Sequence, residues 1–95
     1  MAEERAVTID ELRRRIDAID QQLVTLLNRR AECALAIGEE KKQAGMDLYQ
    51  PDREADVLQH VQTVNPGPLD NGAVKRLFER IIDEARRLER LADLE

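Results

Sequence analysis

Two cations stand where hydrocarbon side chains are due. Ile9, Leu12, Ile16, Ile19, Leu23 and Leu26 recur at alternating steps of three and four, the pattern of a helix face packed against other helices. Arg30 follows four positions after Leu26 and seven before Ile37, on the same line. Lys41 lies eleven residues beyond Arg30, which returns it to within about 20° of that face. A charge on a buried stripe is costly unless it is paired or hydrogen-bonded. Arg30 and Lys41 therefore meet structural carboxylates, reach water at a tapering edge, or hold an anion.

The same test applied further along the chain finds acceptors. Glu54 falls within about 40° of the line of Leu58 and Val61, and Gln50 joins it one turn earlier if the helical phase extends that far. Glu89 shares the stripe of Phe78, Ile82 and Ala85. Polar groups converging from three helices suit a pocket for a small anionic molecule inside a bundle. Arg13 adds a constraint. It precedes Arg30 by seventeen residues, about 25 Å along a helix, so one metabolite cannot touch both in one chain. Either Arg13 belongs to the solvated run Arg13-Arg14-Arg15, or it reaches a site from a second chain running antiparallel.

The elements that must position these groups are legible. Thr8 followed by Glu11 is a capping box, no proline interrupts the stretch to Ala44, and Gly45 stands at the position of a C-terminal cap. Such a helix is about 50 Å long, whereas a compact domain of this length has a radius of gyration of only about 12–13 Å. One end of it needs cover, and a second chain supplies it economically. Gly45 to Gln50 reads as a connector. Pro51 suits the first position of a second helix, with Asp52 and Glu54 at its positive end, running to about Thr63. Asn65-Pro66-Gly67-Pro68 is a break, and Asp70 caps a third helix that turns Val74, Leu77, Phe78, Ile81, Ile82, Ala85, Leu88 and Leu91 inward. The expectation is an all-α fold of one domain over residues 1–95, with a long, a short and a medium helix. Residues 1–7 read as a mobile tail.

Composition bounds the function. At 95 residues a single core is marginal and oligomerisation helps. A net charge of −5 argues against nucleic acid and against anionic membranes, while leaving a locally positive pocket open. The lone Cys33 allows no intramolecular disulfide and reads as a packed thiol; the lone His60 reads as an exposed side chain and offers no metal cluster. No apolar run reaches signal-peptide or membrane-span length, so a reducing cytoplasm is the expected location.

Taken together, Leu12-Arg13-x-x-Ile16-Asp17-x-Ile19-Asp20-x-x-Leu23-x-x-Leu26-Leu27-x-Arg29-Arg30, Ile37-Gly38-x-x-Lys41, and Pro51-x-Arg53-Glu54-x-x-Val57-Leu58 resemble the all-helical (AroQ-class) chorismate mutases. Lys75-x-Leu77-Phe78-x-x-Ile81-Ile82 with Glu89 fits the last helix of that family, so the resemblance runs from about Ile9 to Leu91. It implies an intertwined homodimeric helical bundle with two equivalent sites, each completed by Arg13 of the other protomer. It also implies rearrangement of chorismate to prephenate in phenylalanine and tyrosine biosynthesis, a unimolecular reaction without cofactor or metal.

Catalysis of that reaction consists of holding the compact conformer and stabilising charge on the breaking ether oxygen. By similarity Arg30 and the partner's Arg13 clamp the two carboxylates, for which a planar guanidinium is suited. Lys41 binds a carboxylate and donates to the ether oxygen, Glu54 accepts from the ring hydroxyl, Arg53 supports that end, and Gln50 and Ala85 line the wall. Relatives often carry glutamine where Glu89 stands, although glutamate also occurs there; a carboxyl can donate only when protonated, and burial is expected to raise its pKa against the pull of Lys41. Position 50 is acidic in some relatives, and position 85 carries a hydroxyl in some. Two other readings share the fold: an isochorismate-pyruvate lyase, and a non-catalytic regulatory dimer. The Leu-bearing stretch from Leu88 to Glu95 is a candidate contact for another aromatic-pathway enzyme.

Overall fold

The computed structural model describes residues 7–47 and 49–94. Three helices follow in order: α1 (Ile9–Ala44), α2 (Pro51–Thr63) and α3 (Asn71–Asp93). The described residues contain no strand. The expected tail over residues 1–7 lies outside the described residues except for Val7, as do Leu48 of the connector and Glu95.

The helix ends are set by local chemistry. The Glu11 backbone N–H donates to Thr8 Oγ1 at 3.1 Å, and the Thr8 N–H reaches back to Glu11 Oε1 at 3.5 Å, closing the capping box. At the other end Gly45 adopts φ 72°, a conformation glycine enters without penalty. Its N–H donates to the Lys42 carbonyl at 3.2 Å and that of Met46 to the Lys41 carbonyl at 2.8 Å, the pair of bonds that defines a Schellman stop. Pro51 opens α2, and the Ala73 N–H donates to Asp70 Oδ1 at 2.7 Å to cap α3. Between them the Asn65 side chain organises the turn, donating to the Leu69 carbonyl and accepting from the Gly67 N–H.

The chain divides into two compact units, Met1–Arg30 and Ala31–Glu95. In the first, the apolar stripe of α1 is open: Leu12, Ile16, Ile19, Leu23 and Leu26 are 45–55% exposed. In the second, α2 packs on α3. Val57, Leu58 and Val61 of α2 and Val74, Phe78, Ile81 and Ala85 of α3 are half-buried, and Ile82 is the buried apolar side chain at their centre.

Gln50 closes the connector as expected, and the condition that would have put it on the line of α2 is not met. Gln50 is not helical; its φ −135° and ψ 82° place it before α2, and its amide donates to the Asp47 carbonyl at 3.5 Å. The cause is Pro51, whose ring disfavours helical backbone in the residue ahead of it. Leu77, Leu88 and Leu91 are exposed rather than inward. With thirteen residues against twenty-three, α2 covers about 20 Å of the roughly 35 Å of α3, and only on one side. Cys33 is exposed, not packed, because the stripe it borders is uncovered, with Ile37 53% exposed.

Candidate active site

In the second unit, the last turns of α3 bring Glu89 against the C-terminal part of α1. Glu89 lies over Gly38, the one buried residue of α1 among those described. Leu35, Glu39, Lys42, Ala92 and Asp93 line the same groove, and Lys42 Nζ pairs with Asp93 Oδ1 at 3.5 Å across it. Lys41 is half-buried one turn beyond Gly38. Removal from water raises the pKa of the Glu89 carboxyl above the ordinary glutamate value, while the charges of Lys41 and Arg86 oppose the rise. Desolvation is the largest of the three influences, so the protonated acid is favoured here more than in water. Sequence reasoning expected this direction and the opposing lysine; it did not expect the arginine.

Arg86 is the residue that reasoning missed. Its Nη2 donates to Glu54 Oε1 at 2.9 Å and to Asp83 Oδ1 at 3.3 Å, with Glu54 Oε2 also within ion-pair distance at 2.9 Å. Its guanidinium carbon lies 5.4 Å from the ring centroid of Tyr49, within cation–π range, and its Nε is buried without a partner. Glu54 thus projects inward from α2 as its spacing predicted, but it is tied to α3 rather than free. The signal was present: Arg86 follows Ile82 by four residues and precedes Glu89 by three, which puts it on the stripe that Glu89 interrupts.

The other expected residues fall as follows. Ala85 is half-buried beside Arg86, Gln50 is half-buried ahead of α2, and Arg53 is exposed. In the first unit Arg30 is half-buried and Arg13 exposed. His60 is exposed, as expected. Among the described residues no cluster of histidine, cysteine and acids has the geometry to hold a metal ion, and no helix is long and apolar enough to cross a membrane.

A carboxyl whose pKa is raised by burial, beside a lysine and with a second carboxylate fixed by arginine, equips the second unit to make hydrogen bonds around a small polar ligand. Comparison with known proteins gives this arrangement its context. Residues 12–90 match the family model described as chorismate mutase type II. The chain belongs to the chorismate mutase type II family. It is 45% identical over 87 residues to the bifunctional chorismate mutase/prephenate dehydratase of Neisseria gonorrhoeae, covering 87% of this chain and 24% of that protein. With the enzyme of the same name from Pseudomonas aeruginosa the identity is 42% over 83 residues, 82% of this chain and 23% of the other. The chain therefore spans about a quarter of the length of these curated relatives. Among solved structures, chorismate mutase (form II) from Thermus thermophilus superposes with a TM-score of 0.84 at 29% identity, covering 86% of this chain and 93% of that one. The all-α, three-helix architecture is thus that of helical chorismate mutases.

Proposed function

We propose that this chain is a chorismate mutase that works as a homodimer and isomerises chorismate to prephenate in the cytoplasm. The observation that carries the reading is a partly desolvated Glu89 that feels the charge of Lys41, in a chain that matches the family across residues 12–90. In the reaction the ether C–O bond breaks as a C–C bond forms, within one molecule, and negative charge gathers on the ether oxygen. Lys41 and protonated Glu89 donate to that oxygen, where preorganised donors act most strongly in the transition state. Arg30 and the partner's Arg13 clamp the two carboxylates. Glu54, held by Arg86, accepts from the ring hydroxyl, with Arg53, Gln50 and Ala85 around that end.

Support for the dimer comes from what one chain leaves uncovered. Ile82 is its one buried apolar residue among those described, while the α1 stripe stays about half exposed. An apolar face of this extent on a domain this small marks a surface to be buried by another chain. A second copy also supplies the Arg13 that its own chain cannot bring to Arg30.

The test is turnover with product identification. Chorismate absorbance should disappear with formation of prephenate and without release of pyruvate. Pyruvate from isochorismate with chorismate untouched would replace this reading by the lyase; absence of turnover on both substrates would leave only a non-catalytic dimer.

A pH dependence follows from Glu89. Its folded pKa lies above the ordinary glutamate value, and only the acid donates, so activity is full below that pKa and falls as pH rises through it. Glu89→Gln donates at every pH and should flatten this limb of the kcat profile. A limb that persists unchanged in the variant removes Glu89 from the role.

A further inference from the structure

We infer that Gly38 is a positioning residue for Glu89: its missing side chain is the seat in which the Glu89 carboxyl lies, and it sets the depth of that carboxyl in the groove. This rests on the reading of Glu89 as a donor in the proposed reaction and goes beyond it by naming what holds the donor.

Glycine inside a helix needs a reason, because it costs about 1 kcal/mol relative to alanine. Gly38 sits within α1 without the positive φ that would require glycine. The reason is contact. A Cβ built on Gly38 would stand 3.0 Å from Glu89 Oε2, 3.5 Å from its Cγ and 3.7 Å from its Cδ. The Glu89 side chain therefore occupies the space beside bare backbone, and a Cβ at position 38 makes it give by a few tenths of an ångström. The groove opens to solvent, so the displacement is outward. Lys41 lies three residues beyond Gly38 on the same face, so the seat also fixes the separation of the two proposed donors.

The charged groups around the seat come from two helices. Lys41 faces it from α1, with Glu39 and Lys42 along the groove; Arg86 and Asp93 face it from α3, Asp93 being paired with Lys42 and Arg86 with Glu54. None of these is altered by adding a methyl group at position 38. Gly38→Ala therefore changes the position and hydration of Glu89 while leaving the surrounding charges in place, and it favours the helix.

The experiment has one arm without substrate and one with it. Titration of the carboxyl 13C resonance of Glu89 in the full chain should give a lower midpoint in Gly38→Ala than in the native protein. Native protein should also show a nuclear Overhauser contact between the Gly38 α and Glu89 γ protons, which holds whether or not the variant folds. With chorismate, Gly38→Ala should lower kcat roughly tenfold, yet have no further effect in a Glu89→Ala background. An unchanged midpoint, a missing Overhauser contact, or an equal loss in both backgrounds would overturn the inference. A native protein that does not turn over chorismate refutes the proposed function instead, and leaves the two spectroscopic results to decide the seat.

Discussion

Lys41→Ala should lower kcat for chorismate by about 10²–10³-fold, the loss typical of removing one donor to an oxygen that gains charge in the transition state. The ammonium is a point charge, most useful where charge is appearing rather than where it already exists. KM should therefore change much less than kcat. Arg30→Ala is the contrasting case: its proposed partner is a carboxylate, fully charged in substrate and transition state alike, so the loss should appear substantially in KM. Steady-state kinetics of the two variants side by side separate the roles. A Lys41→Ala enzyme with native kcat and raised KM would reduce Lys41 to a binding group.

Leu23→Glu should abolish both assembly and activity. Leu23 is half exposed in the single chain and central to the open stripe of α1. In the proposed dimer it is buried. Replacing it forfeits about 1–1.5 kcal/mol of apolar burial per copy, half of the value for a fully exposed leucine, and adds an unpaired carboxylate at an apolar contact, at a further cost of about 2 kcal/mol or more. Both copies in a dimer suffer, so association should weaken by more than about 10³-fold, each 1.4 kcal/mol being tenfold. With Ile82 the one buried apolar residue described in a single chain, the separated protomer has little to hold it folded. Sedimentation equilibrium and circular dichroism should report loss of dimer together with loss of helix, more severe on dilution. A folded, active monomer would refute the shared core.

Most of the fold was legible because its signals are local. Thr8 with Glu11, Gly45, Pro51 and Asp70 each form the cap or start that their residue types predict, since a few backbone hydrogen bonds decide each one. Gln50 ends the connector for an equally local reason: Pro51 disfavours helical backbone in the residue ahead of it, so the phase of α2 does not extend that far. Side chains near the uncovered stripe were misjudged for the opposite reason. Cys33, Leu77, Leu88 and Leu91 follow an apolar pattern, but a pattern says which face is suited to burial and not what covers it.

The candidate site divides the same way. Glu89 and Glu54 are legible as candidates because each breaks an apolar line, and both are half-buried. Arg86 breaks a line as well, yet its meaning depends on Glu54, thirty-two residues away, which no local pattern connects to it. The fit of Glu89 to Gly38 is a matter of tenths of an ångström between helices and has no trace in spacing.

The central claim is that two chains share each site, and subunit exchange tests it most directly. Arg13→Ala and Arg30→Ala homodimers should each be nearly inactive with chorismate. Dissociated, mixed in equal amounts and reassembled, half of the dimers are mixed and each carries one intact site, so activity should return to about a quarter of the native value. Activity that stays at the level of the parent variants after exchange, with mixed dimers demonstrated by mass, would contradict the account.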